Sequence, residues 1–411
     1  MSGKKKVLVA IMDGLGDRGC PEFGGRTPLQ ATPTPNMDWF VANGSAGLMD
    51  VIAPGVRPGS DTAHLSLLGY DSHRVYTGRG PFEAAGIGLV GRRGDVAFRC
   101  NFATVDGNMS VTDRRAGRIK EPDTTELVKA LSGLSFDGIE ALVREGTEHR
   151  AALILRGKGL DPNVTDVDPH ELAPILESKP KAPPAAATAD ALNRFVARSH
   201  EILSKHPVNV RRRKEGLPEA NILLPRGAGS FPDIDPFPEV WGVRAAGVAG
   251  VGMIKGVCGV CGLDVVEPPA VCTGGMDSDF GAKMAKALDA LGGYDFVLVN
   301  FKAPDVCGHD GDAKAKAAVI AKLDKAFGYL RENMPKDLVV AFTADHSTPC
   351  GLLDHGGDPV PLCIYSDGVA PDEATTFDEV SVARGRIGRI RGMDLLPICM
   401  DLANRSEKFG A

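Results

Sequence analysis

Three short stretches rich in β-branched and apolar residues stand out, and each leads into an acidic or imidazole side chain. Lys6–Met12 (KVLVAIM) breaks at Asp13 in the turn sequence DGLGD. Tyr294–Asn300 (YDFVLVN) is followed by Asp305 and His309, and Asp337–Thr343 (DLVVAFT) by Asp345 and His346. Continuous apolar runs bounded by turn residues, without polar alternation, predict strands buried on both faces, as in a parallel sheet. Between them, Asp279–Leu291 (DFGAKMAKALDAL) and Ala313–Arg331 carry helical spacing. Strands and helices therefore alternate in the order that builds a helix-covered, mostly parallel sheet, and the expected fold class is α/β. The acidic and imidazole groups then fall at the carboxyl edge of that sheet, where open α/β sheets bind ligands.

The middle third breaks this pattern. Arg92–Asp95 is a charged interruption, and residues 178–191 (SKPKAPPAAATADA) read as a Pro/Ala-rich linker. Between them lie strand candidates at Val96–Val105 and His149–Arg156 and a helix candidate at Thr124–Leu131. This predicts an inserted, smaller α+β domain at 92–189 inside a discontinuous domain of 1–91 and 190–411. Arg211-Arg212-Arg213-Lys214 reads as a solvated turn.

Composition narrows the function classes. The 411 residues are 43% hydrophobic and 24% charged, the balance of a folded protein rather than a disordered one. A formal charge of −6 offers no global field for a nucleic-acid backbone, so no nucleic-acid partner is expected. The basic start Lys4-Lys5-Lys6 is followed by six apolar residues and then Asp13, which suits a buried strand and not a signal peptide. The apolar window Ala245–Leu263 is Gly-rich and interrupted by Lys255. No membrane partner is therefore expected, and the reading is of a cytoplasmic protein with homo-oligomerisation left open. Nine scattered cysteines suit reduced thiols, and the lone Cys258-Gly-Val-Cys261 pair lies in an apolar run that reads as packed core.

The candidate chemistry lies at the strand ends. Asp305 and His309 are spaced DxxxH, Asp345 and His346 are adjacent, and His355 follows in a Gly/Asp-rich loop. With Asp13 they make three aspartates and three histidines, an inventory for two divalent-metal sites. Alternation along an extended chain would turn Asp345 and His346 toward different metals. In Pro58-Gly59-Ser60-Asp61-Thr62-Ala63-His64, Gly59 permits a close backbone approach and the following residues predict a helix through Leu67. Ser60 reads either as that helix's N-cap or as a nucleophile with phosphate-attracting N–H groups beside it. His64, one turn on, either assists Ser60, positions substrate or packs. Arg79, His149, Arg150 and Arg226 lie in polar segments and are candidates for binding anionic groups, with structural salt bridges as the alternative. Cys307 and Cys350 are metal-capable thiols close to the metal motifs, with packing or incidental placement as the alternative reading.

Together the segments VLVAIMDGLGD, PGSDTAHLSLLGYD (58–71), YTGRGPFEAAG (76–86), FKAPDVCGHDGD (301–312) and TADHSTPC…DHGGDPVP (343–361) resemble the alkaline phosphatase superfamily. Within it they are most similar to the archaeal-type cofactor-independent phosphoglycerate mutases. The resemblance implies an alkaline-phosphatase-like sheet and a transiently phosphorylated Ser60. It assigns one metal to Asp13, Ser60, Asp345 and His346 and another to Asp305, His309 and His355. The metals implied are manganese, with cobalt, zinc or magnesium as alternatives, and no 2,3-bisphosphoglycerate is needed. The implied reaction interconverts 3-phosphoglycerate and 2-phosphoglycerate in glycolysis and gluconeogenesis. Lys302 would neutralise phosphoryl oxygens, and the inserted domain would act as a lid that retains glycerate. A metal-dependent phosphatase or another phosphomutase of the superfamily is the alternative reading, and a metal-binding protein without turnover is a third.

Overall fold

The strand ladder follows the apolar runs. A computed structural model describes residues 3–408 and 410. Its strands, in chain order, are Lys6–Met12 (β1), Ser45–Asp50 (β2), Val96–Val105 (β3), Val111–Asp113 (β4), Leu134–Phe136 (β5), Ile139–Glu145 (β6), Arg150–Arg156 (β7), Ile222–Ser230 (β8), Ala245–Val248 (β9), Asp264–Val266 (β10), Phe296–Phe301 (β11), Leu338–Thr343 (β12), Val360–Tyr365 (β13) and Gly388–Arg391 (β14). The chain divides into two units, one of residues up to Val75 together with those from Ile234, the other Tyr76–Asp233.

In the first unit an eight-stranded sheet has the order β10-β9-β11-β1-β12-β13-β2-β14. β1 lies between β11 and β12 and is parallel to both, with Ile11 opposite Asn300 on one side and Thr343 on the other. β13 runs antiparallel to β12 and β2, and the other pairings are parallel. Every residue of β11 and β12 is buried, which is why these strands read as unbroken apolar runs. The helices Phe280–Ala290 and Ala313–Asn333 start on aspartate caps, Asp279 accepting from the N–H of Ala282 and Asp312 from that of Ala315. The longer helix buries Val319, Ile320, Leu323, Phe327 and Leu330 at helical spacing, and the Phe327 ring lies 4.7 Å from that of Phe342 on β12. Among the described residues no helix is long and apolar enough to cross a membrane.

The second unit is built on an antiparallel sheet of order β4-β3-β7-β6-β5, with β8 also paired to β3. It extends beyond the 92–189 segment marked by composition because β8 pairs with β3 from Ala103 back to Val96. The helix Ala186–Lys205 adds Leu192, Phe195, Val196 and Leu203 to the same core. Two sequence expectations fail here. Residues 178–191 are not a free linker: Ser178 exchanges hydrogen bonds with Asn193, Pro183–Ala185 form a tight turn, and a helix starts at Ala186. Alanine is the strongest helix former and proline is tolerated ahead of a first turn, so the composition of a linker served as a helix start. Arg211–Lys214 are not a turn but the last turn of the helix Pro207–Lys214, where basic side chains complement the helix dipole. Arg212 is buried, bonded to Asp123 and to the carbonyls of Pro218 and Ala116.

All nine cysteines are buried and free. Cys258 and Cys261 pack at the helix Gly252–Val260, and burial pushes the Cys258 thiol up to about 12, which suits core and not redox chemistry.

Because β11 is central and its Leu298 is almost wholly buried, Leu298→Ala is expected to cost about 2–5 kcal/mol of stability. Urea denaturation followed by circular dichroism measures it.

Candidate active site

β1, β11 and β12 end side by side, so the residues following them are delivered to one edge of the sheet. Asp13 follows β1, with its N–H on the Phe301 carbonyl. The turn continues through Gly14 at φ +64°, where a side chain would also lie 2.6 Å from the Asp305 Cα. Its N–H donates to Asp345 Oδ1 at 3.0 Å. After β11, Lys302 leads into the helix Ala303–Asp310, which carries Asp305 and His309 one turn apart. After β12 come Asp345 and His346.

Two clusters of potential metal-ligand atoms result, each within 4.8 Å: Asp13, Asp345 and His346, and Asp305, His346 and His355. His309 lies beside the second, its Nε2 3.4 Å from Asp305 Oδ1 and its ring 5.2 Å from that of His355. Asp345 and His346 meet in the first cluster, and His346 alone of the two also reaches the second. His346 Nε2 and Asp345 Oδ2 are 3.4 Å apart in the same cluster. Strand alternation does not apply, because β12 ends at Thr343.

Ser60 opens the helix Ser60–Leu67 but is not its cap, since Gly59 occupies that position and its N–H donates to Thr62 Oγ1. The serine hydroxyl is 3.4 Å from His346 Nε2. His64 is fully buried; its Nδ1–H donates to the Ser60 carbonyl at 2.7 Å, and its Nε2 faces Asn300 Nδ2 at 3.3 Å. It therefore holds the first helical turn instead of reaching the Ser60 hydroxyl. Lys302 Nζ lies 2.9 Å from Asp13 Oδ1 and 2.6 Å from Asp305 Oδ2. Burial opposes its charge, but Asp13, Asp305 and Asp345 outweigh this and hold the ammonium above the usual lysine range.

Asp13, Asp305 and Asp345 are 0%, 2% and 0% exposed, and one lysine does not balance them. Burial, then repulsion from Asp13, pushes Asp345 up to about 7, while Lys302 and His346 overcome burial at Asp305 and hold it down to about 2. Burial lowers His346 and His355, leaving neutral imidazoles able to ligate. Asp345 Oδ2 is buried without a hydrogen-bond partner. An orphaned carboxylate oxygen among oxygen and imidazole donors fits a divalent cation.

The second unit holds a polar cavity of about 310 Å³ lined by His149, Arg150 and Arg226 from the sequence candidates. Arg79 is not among its lining residues and pairs with Glu83 at 3.0 Å. Sequence reading missed Arg99, Arg114, Arg115 and Arg118, which also line it. The dense RRAGR spacing at 114–118 was the available signal. Arg114 and Arg226 share the buried Asp168, whereas Arg115, Arg118 and Arg150 have no carboxylate partner among the described residues. The Nε atoms of Arg99 and Arg114 and His149 Nδ1 are buried without hydrogen-bond partners, Glu148 Oε2 lying 3.8 Å from the last. Burial and then Arg150 and Arg115 lower His149, and burial lowers Arg99 despite Glu83, with Arg226 adding to the effect. Such a cavity suits an anion.

Fold and site define an α/β enzyme with a serine hydroxyl beside a buried aspartate and histidine cluster suited to divalent cations. The family described as 2,3-bisphosphoglycerate-independent phosphoglycerate mutase matches residues 42–209. A relative of that description from Methanopyrus kandleri is 48% identical over 417 residues, covering 99% of each chain. One from Thermococcus kodakarensis is 48% identical over 411 residues, covering 99% of this chain and 100% of its own. Among solved structures, a Pyrococcus horikoshii protein superposes with a TM-score of 0.84 at 42% identity over 100% of both chains. The cofactor-independent phosphoglycerate mutase of Thermoplasma acidophilum superposes at 0.76 and 38%, over 97% of this chain and 100% of its own. The chain belongs to the 2,3-bisphosphoglycerate-independent phosphoglycerate mutases, a family of isomerases.

Folded Asp345 keeps its proton to about 7, whereas an unfolded aspartate releases it near pH 4. The folded state thus binds more protons across that interval, and Asp345 makes metal-free protein lose stability as pH rises through it. Asp345→Asn is expected to remove this slope. In thermal melts after chelator treatment it should match the parent near pH 4 and melt higher at pH 7.5. Glu379, also pushed up to about 7 by burial, contributes equally to both proteins.

Proposed function

We propose that this chain interconverts 3-phosphoglycerate and 2-phosphoglycerate through a phosphoserine on Ser60, with no 2,3-bisphosphoglycerate. The observation that carries this reading is the Ser60 hydroxyl, 3.4 Å from His346 Nε2 at the rim of the buried Asp13, Asp345 and His346 cluster. Asp13, Ser60, Asp345 and His346 would hold one divalent cation and Asp305, His309 and His355 a second, manganese being the first choice. When bound, the cations supply positive charge against the serine oxygen and the phosphoryl oxygens.

Ser60 Oγ gives up its proton and attacks phosphorus, the bond to the glycerate 3-oxygen breaks, and that proton passes to the departing oxygen. Glycerate stays bound and reorients. Its 2-hydroxyl then attacks phospho-Ser60, the new phosphorus–oxygen bond forms, and the proton released there returns to Ser60 Oγ. Lys302, held charged by its aspartates, stabilises the phosphoryl group in both transfers. His64 keeps the first turn of the serine's helix in place. The arginine cavity of the second unit supplies guanidinium forks for carboxylate and phosphate oxygens, and that unit serves as the lid that retains glycerate and excludes water. The setting proposed is cytoplasmic glycolysis and gluconeogenesis.

Metal-depleted protein given 3-phosphoglycerate with and without manganese, and no 2,3-bisphosphoglycerate, is expected to form 2-phosphoglycerate only with the metal and to release little phosphate. Free phosphate as the main product would point to a phosphatase instead. Ser60→Ala is expected to abolish the phosphoenzyme and lower the rate roughly 10³-fold or more, the scale of a lost nucleophile. Substantial isomerisation by this variant would overturn the mechanism. Arg118→Ala is expected to raise KM about 10-fold or more, with a smaller change in kcat, as a charged hydrogen bond to the substrate is lost.

A further inference from the structure

We infer that Thr348 is a positioning residue whose hydroxyl commits His346 to the Asp13 and Asp345 cluster and ties that cluster to Asp305. The inference rests on the cation reading proposed above, and concerns a residue that is not itself a ligand in it.

Distance alone leaves His346 in both clusters. Hydrogen-bond chemistry separates them. Thr348 is fully buried, and its hydroxyl donates to Asp305 Oδ1 at 2.7 Å. A hydroxyl has one hydrogen, so toward His346 Nδ1, 3.1 Å away, the same oxygen can only accept. The imidazole proton therefore sits on Nδ1, where the Ser347 carbonyl at 3.3 Å is a more distant second acceptor. The lone pair is left on Nε2, which faces Asp345 Oδ2 at 3.4 Å, Asp13 Oδ1 at 3.6 Å and Ser60 Oγ at 3.4 Å. His346 is thereby withdrawn from the Asp305 and His355 cluster, and His309, with its Nε2 at Asp305, takes the vacated place. His355 and His309 turn their Nδ1 atoms to the carbonyls of Pro58 and Leu353. His346 instead takes its nearest orienting partner from a side chain, and that side chain also holds a ligand of the other cluster.

The surroundings hold Thr348 in place. Its N–H donates to the Gly16 carbonyl at 3.0 Å, and its own carbonyl accepts from the buried Lys316 Nζ at 2.9 Å. Lys316 also donates to the Gly16 carbonyl and to Asp17 Oδ2, which locks the loops after β1 and β12 together. Gly14 and Gly308 leave the necessary space: a Cβ would come within 2.6 Å of Thr348 Oγ1 at the first and 2.3 Å of its carbonyl oxygen at the second. The β-branch then restricts the hydroxyl's rotamer.

The test uses full-length metal-free protein. Two-bond nitrogen–proton spectra of ¹⁵N-histidine-labelled parent, with the signal identified by its loss in His346→Gln, are expected to show His346 protonated on Nδ1. Protonation on Nε2 would overturn the inference. Calorimetric titration with manganese alone is expected to show binding to Thr348→Val about 10- to 100-fold weaker than to the parent, the usual scale for losing a partner that orients a ligand. Thr348→Ser should stay within about threefold, and Thr348→Ala serves if the valine variant does not fold. A parent that binds no manganese would overturn the cation reading itself. A parent that binds it and a valine or alanine variant that binds equally well would overturn only the role of Thr348.

Discussion

Three carboxylates closed off from water at the end of one sheet set the terms for the rest of this molecule. Asp13, Asp305 and Asp345 are each almost wholly buried, and unpaired charges in such surroundings are costly. Lys302 reaches two of them and His64 and His346 lie near Asp345, yet one Asp345 oxygen has no hydrogen-bond partner. The protein alone resolves this only by leaving Asp345 protonated up to about 7. A cation held there, as proposed, would resolve it by neutralising the charge, so the feature that strains the metal-free fold would also be the source of affinity.

Such a cluster demands a scaffold with little freedom. β1 is flanked by β11 and β12 in parallel register, so their carboxyl ends arrive together. Beyond them, Gly14 allows one loop to lie against Asp305 and Thr348, and Lys316 ties the loop after β12 to the loop after β1. The serine comes from another part of the chain on a helix whose first turn is pinned by His64. The second unit presents the opposite chemistry, with Arg99, Arg114, Arg115, Arg118, Arg150 and Arg226 lining one cavity. One unit accumulates carboxylates that call for cations, and the other accumulates guanidinium groups that call for an anion.

Some of this could be read along the chain and some could not. The strands bearing Asp13, Asp305 and Asp345 were legible because burial on both faces leaves an unbroken apolar run, and a ligand at the strand's end follows it directly in sequence. The helix at Ser60 was legible from its glycine and short polar start, although the cap proved to be Gly59. The arginine cavity was only partly legible. Arg99 lies on β3, whereas Arg114, Arg115 and Arg118 follow β4, so their convergence depends on strand pairing with no signature in local sequence.

The sequence by itself determined the α/β alternation, the sheet edge at which chemistry collects, and the types of residue placed there, because these depend on burial periodicity and on side-chain chemistry within a few residues. Tertiary structure alone decided that His346 lies within reach of both groups of ligand atoms, that His64 bonds backbone and not the serine hydroxyl, and that Arg79 pairs with Glu83 while its fellow arginine and histidine candidates line a cavity. It also decided that residues 178–191 start a helix and that Arg212 is buried against Asp123. Each of these turns on which atoms, distant in sequence, come within hydrogen-bonding range, and that is set by packing rather than by any local pattern.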